Sequence, residues 1–202
     1  MAVLGAVASI AAPLTAAQKQ KVIADINAAV SGLKTMSCSF VQTKHLKMLN
    51  DKMVSQGKMH YKQADKLRWE YTTPYKYLFI FNGTKVYVGN KSRKDVIDTN
   101  SNKIFREVAR IMMDTVTGKA LTNGAEFTTD VAGNDKQWII TLVPRKKDMK
   151  KMFAKIELVF DKKTSMIQEV NLFEKNGDKS NIKMNTVTKN TAINESVFAI
   201  PE

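Results

Sequence analysis

Cysteine is nearly absent: Cys38 is the single one in 202 residues. A disulfide framework is thereby excluded, and packing must hold the fold. Cys38 sits in the alternating stretch Met36-Ser37-Cys38-Ser39-Phe40 with no activating neighbour, so it reads as a packed thiol. The two histidines, His45 and His60, have no cysteine or carboxylate at ligand spacing, and no metal is expected. No apolar run approaches the ~20 residues of a membrane-spanning helix. There is no glycine-rich phosphate cradle, no His-Glu-x-x-His and no Gly-x-Ser-x-Gly. Acidic residues number only 19, and several stand beside lysine, as in Asp51-Lys52, Asp65-Lys66 and Asp161-Lys162, where surface pairing is the default. No constellation for catalysis remains; neither an enzyme nor a cofactor is expected.

What is present in excess is positive charge, 32 Lys plus Arg for a formal net charge of +13. Such a surface attracts nucleic acid, acidic lipid headgroups or an acidic protein, and sign alone does not choose among them. The densest basic run, Arg145 to Lys151, reads as a solvated loop between strands. Apolar residues make up 44% of the chain, enough for a folded core, and no biased linker or repeat divides it. At the N-terminus, Ala2 to Ala17 are almost all small or apolar and lead into Gln18-Lys19-Gln20-Lys21. That pattern predicts an export leader over residues 1–17, without the usual positive start, ahead of one domain over 18–202.

Lys19 to Leu33 predicts an amphipathic helix, with Val22, Ile23, Ile26, Ala29, Val30 and Leu33 on one stripe and Gly32 at its end. The period then shifts to two. Ser37 to Lys44 and Met53 to Tyr61 predict a long hairpin, and Leu67, Trp69 and Tyr71 predict one apolar face of a further strand. Pro74 interrupts, Tyr77 to Phe81 reads as a strand apolar on both faces, and Asn82-Gly83 predicts a tight turn into Thr84 to Val88. After a short strand near Arg93 to Ile97, Ile104, Phe105, Val108, Ile111, Met112 and Thr115 repeat at helical spacing. Five more strands follow, over 126–131, 136–143, 154–160, 166–173 and 180–188. The sum is ten or eleven strands in antiparallel meander order.

The face made by Leu67, Trp69 and Tyr71 carries no cation. A nucleic-acid platform interleaves aromatics with phosphate-binding Lys and Arg, whereas here Lys66 and Arg68 fall on the opposite, solvent-facing side. Nucleic acid is therefore the disfavoured partner. An antiparallel sheet that curls without closing, with a helix over its mouth, would instead make an apolar cavity. Periodicity does not distinguish such a lining from a filled core.

Four motifs in order carry a resemblance: Phe40-Val41-Gln42; Gly57-Lys58-Met59-His60-Tyr61; Arg68-Trp69-Glu70-Tyr71-Thr72-Thr73-Pro74; and Asn82-Gly83-Thr84-Lys85. Together with the closing Asn194 to Pro201, they resemble the outer-membrane lipoprotein carrier family, LolA and its relatives, over nearly the whole mature chain. The resemblance implies an incomplete antiparallel β-barrel of about eleven strands with an α-helical lid, in the periplasm of a Gram-negative cell. It implies a lipoprotein or lipid cargo, an inner-membrane releasing transporter, an outer-membrane acceptor, transient membrane-surface contact and a monomer. Leu67, Trp69, Tyr71, Phe79 and Phe81 would line the cavity; Phe105, Val108, Ile111 and Met112, chosen by helical phase, would form the lid's inner face. Members of the family carry Arg-Pro where this chain has Gln63-Ala64, and that arginine is associated with holding the lid closed. A sensor of lipid or lipoprotein that transfers nothing is a second reading of the same fold.

Overall fold

The computed structural model describes residues 14–90 and 92–201, without the side chains of Lys103 and Ile104. Most of the predicted leader, and the Ile104 side chain of the predicted helix, therefore lie outside the described residues. Helix α1 spans Ala16–Val30 and starts three residues earlier than predicted. The reason is a capping box: the Thr15 hydroxyl accepts from the Gln18 amide at 3.3 Å, and the Gln18 side chain accepts from the Thr15 amide at 2.8 Å. Val22, Ile26 and Val30 form its buried stripe.

Among the described residues eleven strands make one antiparallel sheet: β1 Thr35–Leu46, β2 Asp51–Lys62, β3 Lys66–Thr73, β4 Tyr77–Asn82, β5 Lys85–Gly89, β6 Lys94–Asp98, β7 Phe127–Gly133, β8 Gln137–Pro144, β9 Phe153–Asp161, β10 Ile167–Glu174 and β11 Lys179–Lys189. Their spatial order is β6-β5-β4-β3-β2-β1-β11-β10-β9-β8-β7. Every neighbour pair but one is a sequential hairpin; β1 with β11 joins the two halves of the meander. Strands β6 and β7 remain the two edges, so the barrel is open, as the resemblance implies.

Helix α2, Lys103–Val116, leaves the end of β6 and lies against the concave face, and a 3-10 turn, Lys119–Leu121, follows Gly118 at φ +72. The basic run departs from expectation. Instead of a loop it contains a short helix, α3, Lys147–Met152, whose Met149 packs on the core. The Asn82-Gly83 turn is also one residue later than read: Asn82 still pairs with Lys85, leaving Gly83 at φ +67 and Thr84 as the turn. Asn82 stays in the ladder because its side chain donates to the Phe198 carbonyl at 3.2 Å.

That bond belongs to a C-terminal clasp. Phe198 is fully buried on the convex face, beside a 3-10 turn at Glu195–Phe198, and Arg68 donates to the Val197 carbonyl at 3.1 Å. Glu195 bridges Lys62 and Lys66. The side of β3 expected to face solvent is thus partly covered by the tail. The same clasp explains why β4 is apolar on both faces, since Ile80, on the face opposite Phe79 and Phe81, is fully buried.

The registers gather the β1–β2, β3–β4, β5–β6 and β10–β11 turns and α3 at one end of the sheet, called the rim below. No helix among the described residues is long and apolar enough to cross a membrane.

Candidate functional site

The sequence motifs meet side by side on the concave face. Phe40 on β1 pairs with Gly57 on β2, and Gly57 pairs with Tyr71 on β3. Because Gly57 has no side chain, the Phe40 ring lies across it. A Cβ at that position would stand 2.3 Å from the ring. Phe40 thereby stacks on Trp69 with centroids 4.2 Å apart, and meets Tyr71 edge-on at 5.4 Å. The Tyr71 hydroxyl donates to Gln42 Oε1 at 2.6 Å, which satisfies both polar groups beside the apolar wall. Burial raises the Tyr71 pKa, so the phenol remains a neutral donor.

Between this wall and α2 lies a cavity of about 700 Å³. Its size falls in the range of small-molecule and lipid pockets, about 300–1,000 Å³. Leu67, Trp69, Tyr71 and Phe79 line the sheet side, and Val108, Ile111 and Met112 line the helix side. Phe81 and Phe105 are not brought to it: Phe81 is buried in the core one step deeper, and Phe105 packs against that core. Residues that the motifs did not reveal complete the wall. They are Met149 and Phe153 from α3 and the start of β9, and Val170, Ile182 and Met184 from β10 and β11. The alternation in β11 carried a signal, but nothing local says which face of that strand is concave.

The charged residues of the lining stand toward the rim. Lys44 and Glu174 flank the cavity there and pair at 2.9 Å, with Asp178 at 3.7 Å from the same ammonium. Deep in the wall, burial pushes the Cys38 thiol up to about 12. Among the described residues no group of His, Cys, Asp and Glu could hold a metal ion.

The outer side of α2 is tied down by charge. Arg110 bridges Glu107 at 2.6 Å, Asp114 at 2.9 Å and Glu126 just before β7. Glu126, with its side chain 11% exposed, also accepts from Lys146 at 2.7 Å. Burial alone would raise the Glu126 carboxyl, but Lys146 and Arg110 hold it below the usual carboxylate range. Gln63, by contrast, is exposed in the β2–β3 turn and outside the cavity, its amide bonded to the Lys34 carbonyl at 2.8 Å.

Comparison with known proteins agrees with this architecture. The profile of the family described as "Outer membrane lipoprotein carrier protein LolA" matches residues 31–201. An outer-membrane lipoprotein carrier protein of Chromobacterium violaceum is 26% identical over 198 residues, covering 95% of this chain and 89% of that protein. Among solved structures, an uncharacterized conserved protein from Thermus thermophilus superposes with a TM-score of 0.57 at 9% identity, covering 91% of this chain and 94% of that one. The Pseudomonas aeruginosa MucA/MucB complex gives 0.53 at 9% identity, over 90% of this chain and 60% of that one. At such identities these two structures speak to the fold alone. With its profile match over most of the chain and its motifs assembled into one apolar wall, this protein belongs to the LolA family of outer-membrane lipoprotein carriers.

Proposed function

We propose that this protein carries the acyl chains of a lipoprotein, or of a related lipid, across the periplasm of a Gram-negative cell. The observation that carries the reading is the apolar cavity between the Phe40-Trp69-Tyr71 wall and α2. Each methylene moved out of water gains ~0.8 kcal/mol, so a chain of about fifteen methylenes gains ~12 kcal/mol before ordering costs. That is the scale needed to take a lipid tail through an aqueous compartment. No bond is made or broken; the protein binds and releases. In this reading the apolar segment ahead of Thr15 directs export, and the monomer accepts cargo from an inner-membrane transporter and yields it to an outer-membrane acceptor.

Helix α2 serves as the lid. Its inner face supplies Val108, Ile111 and Met112, while Arg110, Glu126 and Lys146 hold it down from outside. This network takes the holding role that the family gives to an arginine at the position of Gln63.

Native mass spectrometry of the protein purified from a Gram-negative periplasm tests the reading through co-purifying acylated ligand. Trp69→Glu and, on the facing helix, Val108→Glu place a carboxylate against the proposed chain. Both variants should keep the wild-type far-ultraviolet circular dichroism and lose the ligand. Retention of ligand by either folded variant refutes the lining.

A further inference from the structure

The exposed apolar side chains are not spread over the molecule. Of the nine large hydrophobics that stand exposed among the described residues, all but Val96 lie at the rim end of the sheet. The most exposed are Met48 and Leu49, at 92% and 72%, at the tip of the β1–β2 hairpin. Met53, Tyr75 and Met152 join them from β2, the β3–β4 turn and α3.

The tip is held in place. The Asn50 amide returns to the Lys47 carbonyl at 3.4 Å, which makes Met48 and Leu49 the two central residues of a four-residue turn. Such positions ordinarily carry Gly, Pro, Asn, Asp or Ser, whose backbone preferences or short hydrogen-bonding side chains form the turn. The Lys47 amide donates to Asp178 at 3.0 Å, and the Lys47 stem lies against Gly177, so this turn leans on the β10–β11 turn. Two long apolar side chains are thus presented outward from an anchored base.

Charge at the rim complements them. Lys47, Lys52 and Lys175 make no ion pair among the described residues, and neither do Lys147 and Lys150 of α3. The Lys175 amide bonds the Met152 carbonyl at 2.9 Å, which joins α3 to the β10–β11 turn in one basic, apolar-studded surface. The cavity opens beside it, with Lys44, Lys151 and Glu174 in its lining.

From this arrangement we propose that the rim docks directly on an anionic lipid bilayer, with Met48 and Leu49 inserted among the headgroups and the lysines on their phosphates. A protein partner would require a continuous patch of about 800 Å² with shape complementarity. Here the apolar groups come singly from separate elements around an opening, interleaved with lysines, which suits a fluid surface that moulds to them. The proposal rests on the carrier reading for its purpose: docking on the bilayer sets the cavity mouth beside the membrane where cargo is handed over.

Vesicle flotation tests it. Purified protein should float with phosphatidylethanolamine vesicles containing phosphatidylglycerol, lose that binding as salt rises, and ignore phosphatidylcholine vesicles. Met48→Ser with Leu49→Ser should weaken partition about tenfold or more. Lys47→Gln, Lys52→Gln and Lys175→Gln together should abolish it at moderate salt. Lys34→Gln, Lys163→Gln and Lys189→Gln, an equal loss of charge at the opposite end, should leave it intact. Absence of vesicle binding, full binding by the tip variant, or equal loss in both lysine sets overturns the proposal. Indifference to vesicles together with capture of an acidic protein overturns it too, and makes the rim a protein interface. Uptake of a fluorescent fatty acid, read separately, should be unchanged in the tip variant. Wild-type protein that floats with vesicles yet takes up no fatty acid refutes the carrier reading and leaves the docking surface standing.

Discussion

Substitution of Gly57 by alanine probes the packing on which the cavity wall depends. The added Cβ would lie 2.1 Å from the Glu70 carbonyl oxygen and 2.3 Å from the Phe40 ring. Unstrained contacts to carbon are about 3.5–4.0 Å, so both neighbours would have to retreat by more than an ångström. Glu70 is held in the β3 ladder, and Phe40 is 1% exposed and pressed on Trp69. Neither can yield freely. Overpacking of this kind costs about 1–3 kcal/mol, and two clashes, one with backbone, place Gly57→Ala in the upper part of that range. The narrower unfolded ensemble of alanine offsets about 0.4–1 kcal/mol, leaving a net loss of about 2 kcal/mol. For a chain of this length that corresponds to a fall in Tm of roughly 4–8 °C. Thermal unfolding by circular dichroism reads the loss, and tryptophan fluorescence reads the disturbed Trp69 stack. In the Gly57→Ala background, Phe40→Leu should cost less than in the wild type, because the two side chains compete for one space. A Tm within about 1 °C of wild type, with an unchanged emission spectrum, would refute the idea that Gly57 is required by the crossing ring.

Removing the Arg110 side chain as Arg110→Met should loosen α2 and speed hydrogen exchange across 103–116, with an additional effect from Glu126→Gln smaller than that of Glu126→Gln alone; strict additivity would mean the two groups are not coupled. Because Glu126 is held below its ordinary pKa, its stabilising contribution is present above the unfolded value and fades as pH falls through the folded one, so the acid limb of a stability–pH curve should flatten in Glu126→Gln. Lys62 and Lys66 likewise hold Glu195 down to about 2, and the C-terminal clasp should therefore persist until pH falls between about 4.3 and about 2; amide protection of 195–199 lost already at pH 6 would contradict this. Cys38, buried with its thiol pushed up to about 12, should resist thiol reagents at neutral pH until the protein unfolds, and rapid labelling of native protein would show the wall to be open there.

Alternation and turn chemistry were sufficient to place the strands. Leu67, Trp69 and Tyr71 share a face whatever the fold, because side chains alternate along a strand, and the motif residues Phe40, Gln42, Gly57 and Trp69 identified the family before any coordinates. Three readings needed correction, the first for a local reason and the other two for non-local ones. Helix α1 gained a turn from its Thr15–Gln18 cap, the basic run folded into α3 once Met149 had a core to reach, and Asn82 kept its place in the ladder because Phe198, 116 residues later, offers it a carbonyl.

The sequence by itself determined the antiparallel order of the strands and the apolar face of β3, since these follow from periodicity and turn chemistry. Only the tertiary structure decided which faces turn inward. Pairing with β1 sets β11, and then β10, beside the aromatic wall, while the fold of the sheet sends Phe81 into the core, leaves Phe79 at the cavity and gathers the exposed apolar side chains beside its mouth. Pairing of β1 with β11 joins the first part of the chain to the last, and that closure is a property of the whole sheet that no local window contains.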